Sequence, residues 1–291
     1  MVSRYSDLYL NARNALREKE GDNAALCARE LLAKAVGKRP EEIIANRDIY
    51  ASEEIEETLN GYVQRMLNDE PLAYVLGEWD FYGMTLQVNR DVLIPRDDTM
   101  AVTDLAIDYA LFLEQNPRVL DLCAGSGCIG LAIARRVKDA HVVLGEISPA
   151  AIRVARKNIQ AQKMAGRVTC MAMDATRPAM NFIGKFDLIV SNPPYITSRE
   201  MEHLQPSVKD FEPHLALHGG EDGLDFYRSI TAGFTHALKP GGCLCFEFGM
   251  GQEKAVAEIL LQHDYEIVKW KRDASGIMRA VQARRKEKDD R

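Results

Sequence analysis

Directly after the apolar run Arg118–Cys123, and opening an apolar-periodic segment that reaches about Val137, stands Gly125-Ser126-Gly127-Cys128-Ile129-Gly130. A glycine-rich turn between a strand and a helix constrains the chain to a βα unit. Glycines allow the tight turn and let backbone N–H groups approach a ligand closely. The period alternates on both sides of this unit. A helix from about Thr99 to Gln115 precedes it. Strand His141–Ile147, helix Pro149–Met164, strand Val168–Met173 and strand Phe186–Ser191 follow. After a long loop come a helix near Leu224–Leu238, strand Cys243–Phe248 and helix Glu253–His263, then two β-rich runs, Tyr265–Trp270 and Ile277–Ala283. Strands alternating with helices of this length predict an α/β fold, a Rossmann-like, mostly parallel sheet covered on both faces. The short turn at Gly276 between the last two runs predicts that one of them is antiparallel.

Before residue 99 the pattern differs. Leu8, Ala12, Ala15 and Leu16 form one helical stripe, and Ala24, Cys27, Leu31, Leu32 and Ala35 a second. Ser52 announces a third helix, with Glu53 and Glu54 in its first turn and Ile55, Leu59, Tyr62, Val63 and Met66 on one side. The expected organisation is a helical bundle over residues 1–70, a linker over 71–98 with a hairpin around Gly83, and the α/β domain over 99–291. The tail Arg284–Arg291 carries both charge signs and is expected to be a solvated end.

The 37 Lys and Arg are outnumbered by 43 Asp and Glu, giving a net charge of -6, and no basic run interrupts the fold. That balance argues against a protein built to hold nucleic acid over a long stretch. The N-terminus lacks the apolar core of a secretory signal, and the longest apolar stretch, Val119–Ala134, is too polar to span a bilayer. A cytoplasmic protein without membrane contact is expected. The six cysteines form no Cys-x-x-Cys pair and the six histidines no metal-type spacing, so reduced thiols and no metal are expected. Cys243 and Cys245 fall on one face of a strand, where they pack.

Glu146 lies near the end of the strand that follows the glycine loop, where a carboxylate can accept hydrogen bonds from both ribose hydroxyls. Loop and acid together indicate an adenosine-type ligand. They fit a nicotinamide dehydrogenase and an S-adenosylmethionine enzyme equally. Asn192-Pro193-Pro194-Tyr195, at the end of the fourth strand, separates the two. Asn192 and Pro193 each precede a proline, which makes the segment stiff and extended. The Asn192 side-chain oxygen and the Pro193 carbonyl then offer two acceptors to the two hydrogens of a planar –NH2 group. Tyr195 offers a flat face for stacking. Accepting both hydrogens raises the electron density on a poorly nucleophilic nitrogen and aims it at a methyl donor. Hydride transfer has no use for this arrangement, so methyl transfer to a planar amino nitrogen is the expected chemistry.

The chain resembles the release-factor glutamine-N5 methyltransferases almost end to end. The matching segments are Glu70-Pro71-Leu72-Ala73-Tyr74 with Gly77, Leu93-Ile94-Pro95-Arg96, Asp121–Gly127 and Ser191–Tyr195. Further matches are Phe211-Glu212-Pro213 with Ala216-Leu217, Glu247 and Gly249, and Arg272-Asp273 with Gly276 and Arg279. The Asn-Pro-Pro-Tyr motif is shared with DNA adenine and some RNA guanine methyltransferases; the Leu-Ile-Pro-Arg segment and the helical N-terminal domain narrow the resemblance. It implies a class I S-adenosylmethionine-dependent methyltransferase with a seven-stranded sheet. It further implies that Asp121, Cys123, Ala124, Gly125, Ser126, Gly127 and Glu146 bind S-adenosyl-L-methionine, with Asp174 on the adenine side and Ala175 as a backbone contact. Asn192, Pro193, Pro194 and Tyr195 would grip the glutamine of the Gly-Gly-Gln loop of class I peptide-chain release factors, with Asn192 also beside the cofactor. Asn192, Pro193 and Tyr195 are the expected catalytic set.

Three positions depart from the family pattern. Arg96-Asp97-Asp98-Thr99-Met100 stands where the family reads Arg-Pro-Glu-Thr-Glu, Glu146 replaces an aspartate, and Ala175 replaces an aromatic found in some members. Two other substrates fit the same chemistry: a glutamine of a large-subunit ribosomal protein, and the amino group of a nucleobase. The second calls for clustered Lys and Arg in a target-reading domain, and the mixed charge of residues 1–90 does not supply them.

Overall fold

The computed structural model describes residues 3–113 and 115–286, so residues 287–291 of the charged tail lie outside the described residues. The chain divides into two compact units, one running to Glu78 and including Gln205–Phe211, the other made of Trp79–Leu204 and Glu212 onwards.

The first unit is helical: α1 (Tyr5–Glu20), α2 (Ala24–Val36), α3 (Pro40–Ala45), α4 (Glu53–Leu67) and α5 (Leu72–Leu76). The three expected stripes become α1, α2 and α4, and their apolar faces meet in one core through Leu8, Leu16, Leu31, Leu32, Leu59 and Val63. The Ser52 hydroxyl accepts the Ile55 N–H and caps α4 as its sequence implies. Two short helices were not anticipated. Pro40 stands at the start of α3 with Glu41 and Glu42 in its first turn, a legible start signal on a segment too short to show a period. Helix α5 ends at Gly77 in the left-handed region, and Val75 is buried in the same core as α2 and α4. The helical unit therefore continues past Pro71, where the sequence alone set its end.

The second unit opens with the expected hairpin, β1 (Glu78–Phe81) and β2 (Met84–Gln87). Tyr82 and Gly83 both have positive φ, 53° and 71°, as a tight two-residue turn between right-twisting strands requires. The sheet elements follow: α6 (Met100–Phe112), β3 (Arg118–Leu122), α7 (Cys128–Arg136), β4 (His141–Glu146), α8 (Pro149–Ala161), β5 (Val168–Ala172) and β6 (Phe186–Ser191). Short helices α9 (Ser198–Met201) and α10 (Pro206–Lys209) precede α11 (Asp225–Gly233), β7 (Leu238–Glu247), α12 (Glu253–Gln262), β8 (Tyr265–Arg272) and β9 (Met278–Arg285). The seven strands lie in the order β5-β4-β3-β6-β7-β9-β8. All neighbours are parallel except β9, which runs antiparallel between β7 and β8.

Alternation sends successive side chains to opposite faces. Val119, Leu188, Val190, Cys243 and Cys245 join a core with α6, α7 and α8. Leu120, Leu122, Ile189, Leu244 and Phe246 join another with α11 and α12. The cysteine pair is thus packing, as its spacing indicates. The helix read as Leu224–Leu238 is shorter: α11 ends at Gly233, and β7 begins at Leu238, which pairs with Phe186 across a bulge. Pro240, Gly241 and Gly242 in its first half hid that start.

Asn158 of α8 ties three segments together. Its side chain accepts the Gln87 N–H at 2.7 Å and donates to the carbonyls of Gln87 and Ser126 at 3.0 and 2.9 Å. It is fully buried. Asn158→Ala leaves these backbone groups unpaired and should destabilise the protein by about 2–4 kcal/mol. A urea midpoint unchanged from the wild type would show that the tie contributes nothing.

Candidate active site

Chain order reverses between β3 and β6, which lie side by side in the sheet. Crevices of parallel sheets open at such points, beyond the carboxyl ends of the strands. The buried Ser191 hydroxyl donates to the Leu122 carbonyl at 2.7 Å and binds the two strand ends together. Immediately beyond them lies a cleft of about 430 Å³.

The glycine loop forms one wall. Cys123 and Gly125 have positive φ, and Gly127, at φ 82°, precedes α7. A side chain on Gly130 would come within 2.3 Å of Leu144, so this glycine brings α7 down onto β4. Glu146 braces the loop from the end of β4: its carboxylate accepts the N–H groups of Gly125 and Ser148, each at 2.9 Å. Asp121 accepts the Gly130 N–H at 2.8 Å, and the Gly127 N–H goes to the Ala124 carbonyl. Three amide donors of the loop are therefore committed within the protein, which leaves a pyrophosphate poorly served. Glu146 keeps a free lone pair on each oxygen and forms no ion pair among the described residues. The space where a Gly125 side chain would stand is open. An uncompensated carboxylate at the rim of an open cleft fits ribose hydroxyls and a cationic sulfonium compound.

Of the residues read from sequence, Cys123, Gly125, Glu146, Asp174, Ala175, Asn192 and Pro194 line the cleft, together with Ile147, Met173 and Phe226. Ala124, Ser126, Gly127, Pro193 and Tyr195 do not line it. Asp121 stands apart: it is buried and faces the first turn of α7, so its carboxylate shapes the loop from behind. Asp174 is held by Thr176, whose hydroxyl and N–H donate to it, and by Arg177 at 3.2 Å; the Thr176 hydrogen bonds keep its pKa below the usual range.

The Asn-Pro-Pro-Tyr segment is fitted closely. Side chains on Gly219 and Gly223 would run into the Pro194 and Tyr195 backbone at 2.6 and 2.3 Å, and one on Gly249 would approach the Tyr195 ring at 3.1 Å. Gln252 donates to the Tyr195 carbonyl at 3.1 Å and accepts the Gly249 N–H at 2.9 Å. The Asn192 amide nitrogen donates to the Thr99 hydroxyl at 3.2 Å, which leaves the side-chain oxygen as its acceptor end.

Glu247 lies behind this pair at the end of β7, 1% exposed, and one of its oxygens has no partner. Burial pushes its carboxyl up to about 8, against hydrogen bonding from Thr99 and Asn192 and the charge of Arg279. Burial likewise pushes Asp121 up to about 7, although the Gly130 N–H pulls it down. Arg279 bridges Asp98 at 2.9 Å and Asp273 at 3.0 Å, so Asp98 of the atypical Asp97-Asp98 pair has a cationic partner. Arg96 pairs with the buried Glu212, which also accepts the Ile94 N–H at 3.2 Å. Thr99, Glu247, Glu212 and Gln252 were given no role from sequence.

Two family models match the chain: a PrmC N-terminal domain over residues 7–77 and a methyltransferase small domain over 106–219. A release factor glutamine methyltransferase of Geobacter sulfurreducens is 39% identical across 94% of this chain and 93% of its own length. One of Clostridium acetobutylicum is 35% identical across 95% and 97%. A methyltransferase of Pyrococcus furiosus, 15% identical, superimposes with a TM-score of 0.52 over 78% of this chain and all of its own, a likeness of fold.

Carboxyls whose folded-state pKa exceeds the unfolded value stabilise the fold fully below that value. They lose this contribution as pH rises through the folded pKa. For Asp121 that window runs from the aspartate value of about 3.9 up to about 7, and for Glu247 from about 4.3 up to about 8. Stability should decline across it, and Glu247→Gln should flatten the upper part by an amount on the order of a few kcal/mol. Urea midpoints between pH 5 and pH 8 that fall equally in both proteins would contradict this (both pH values being roughly the ends of the window).

Proposed function

The chain belongs to the release factor glutamine methyltransferases. On that premise we propose that it methylates the side-chain amide nitrogen of the Gly-Gly-Gln glutamine in class I peptide-chain release factors, using Asn192 and Pro193 as the amide grip. The observation that carries this reading is the Asn192 amide, held by Thr99 so that its oxygen is the free acceptor.

S-adenosylmethionine supplies an electrophilic methyl group. The Glu146 carboxylate, fixed by Gly125 and Ser148, accepts the ribose hydroxyls, and Asp174 and Ala175 border the adenine. The Asn192 oxygen and the Pro193 carbonyl accept the two hydrogens of the glutamine amide, raising the electron density on its nitrogen and pointing it at the methyl. Tyr195, packed by Gly249 and Gln252, stacks on the amide plane. The N–C bond would form as the methyl–sulfur bond breaks, with S-adenosylhomocysteine leaving as a neutral thioether that keeps the electron pair, and the extra proton on nitrogen, now acidic, would go to water. Catalysis is therefore positioning and preorganised electrostatics. The helical residues 1–70, with the neighbouring linker, serve as a docking surface for the body of the protein substrate. Neither membrane nor nucleic acid takes part, and the reaction belongs in the cytoplasm with the release factors. No described helix is long and apolar enough to cross a membrane.

S-adenosylhomocysteine should raise the melting temperature and nicotinamide dinucleotides should not. Glu146→Ala should weaken its binding by about 1–3 kcal/mol. Asn192→Ala should lower turnover by about a hundredfold or more while cofactor binding falls much less. Tyr195→Phe should be milder than Tyr195→Ala. Mass spectrometry of a treated release factor should find one added methyl on the Gly-Gly-Gln glutamine, and none when that glutamine is alanine. Transfer to a ribosomal protein or to DNA, with the release factor unmodified, refutes the assignment; full activity of Asn192→Ala refutes the grip.

A further inference from the structure

Residues 124–173 hold eight Lys and Arg against two acids, and from Ile147 to Met173 there is no acid at all, in a chain of net charge -6. The basic residues are spread along the sequence, so no run betrays them; the fold gathers them. On α8, Arg153, Arg156 and Lys157 recur at i, i+3 and i+4 and are exposed, while Ile152, Val154, Ala155 and Ile159 are buried. Beyond its C-terminal end, Lys163 shares a surface depression with Arg135, Arg136 and Lys138. The three α8 cations lie within little more than one turn of the helix, about 6 Å along its axis.

Part of this charge has an internal task. Arg167 donates to the carbonyls of Ala134, Val137 and Ala140 at the end of α7, and Arg135 and Arg136 suit the negative end of that helix. The α8 cations have none of this kind beyond a 3.3 Å hydrogen bond from Arg156 to the Cys170 carbonyl. Among the described residues none of them forms an ion pair, whereas Lys239, Lys271 and Arg279 of the same unit all do. Arg153 and Lys157 are like charges at i, i+4, an arrangement that works against the helix. The first turn of α8 is in the cleft wall, where Ser148 and Ala151 line it. The positive face therefore begins at the wall of the cleft, on the side of Glu146 and the glycine loop.

We propose that the outer face of α8 docks an acidic surface on the body of the protein substrate. This rests on the reading of that substrate as a release factor. A nucleic acid is the other polyanion, and the observations favour it less: residues 124–173 contain no Phe, Tyr or Trp, so the face has no ring on which a base could stack. Unpaired positive charge beside the cleft speeds encounter with an acidic partner and makes it salt dependent.

The test is the triple charge reversal Arg153→Glu, Arg156→Glu, Lys157→Glu, with the neutral double variant Arg153→Gln, Lys157→Gln beside it. Stabilisation by S-adenosylhomocysteine establishes that each is folded. With intact release factor at low salt, KM should rise about tenfold or more in the triple variant and less in the double. The kcat should stay within about twofold, and the salt dependence of the wild-type KM should largely vanish. Wild-type methylation of the release factor with the same KM and salt slope in all three proteins overturns this inference and leaves the functional reading standing. Unchanged release-factor kinetics with lost retention of a transfer RNA probe also overturns it, and assigns the face to nucleic acid. No methylation of release factor by the wild type overturns the functional reading and this inference together.

Discussion

The Glu146 carboxylate couples the ends of two neighbouring strands, and the cleft depends on that coupling. By accepting the Gly125 and Ser148 N–H groups, it fixes the glycine loop after β3 and the start of α8 after β4 with one side chain. It spends one lone pair per oxygen on the protein and leaves the others at the cleft. The same bonds remove Gly125 as a phosphate donor. A loop whose glycine spacing admits two kinds of adenosine ligand is thereby biased towards the one without a pyrophosphate. Beyond it, Ser191 locks β6 to β3, so the amide grip and the loop are set on adjacent, hydrogen-bonded strand ends. Reacting groups brought together this way need no moving part to align them.

Buried carboxyls pay for part of that rigidity. Asp121 and Glu247 are fully enclosed, each with one unpartnered oxygen, an arrangement that costs stability unless the group is protonated or well bonded. Asp121 holds the first turn of α7 from inside, which keeps the glycine loop tight. Glu247 lies behind Thr99 and Asn192, and its surroundings favour the protonated form. A neutral acid there keeps a negative charge away from the Asn192 side chain.

How far the sequence disclosed this depends on whether a residue acts through a local pattern or through a distant one. Strands β3 to β6, helices α7 and α8 and the antiparallel final pair were legible because their apolar periods are strong and their turns carry glycine. The placement of Glu146 at the cleft was legible by its distance from the loop, and that of Asn192 and Pro194 by the stiffness of two prolines, whereas Pro193 and Tyr195 do not line it. Thr99 and Glu247 were not, because their meeting with Asn192 spans 93 and 55 residues of chain and no spacing encodes it. Asn158 looked like an ordinary polar residue of a helix, yet its bonds reach 71 residues back to Gln87. Short α3 and α5 offer too few turns for a period to emerge, and β7 begins in a Pro-Gly-Gly stretch that reads as a break.

Charge shows the same division on a larger scale. A net charge of -6 describes the average and not the surface. The β5-β4-β3 half of the sheet carries the unpaired cations of α7 and α8, while Asp98, Glu212, Glu247 and Asp273 are each beside Arg96 or Arg279. Paired charges near Asn192 leave the electrostatics there to neutral acceptors, the groups proposed to address the amide. Unpaired charges on the opposite half act at longer range and fall off with salt. On the proposed reading a protein acceptor would be drawn in by one half of the domain and held at its reacting atom by the other, without the attraction that brings it disturbing the acceptors that orient it.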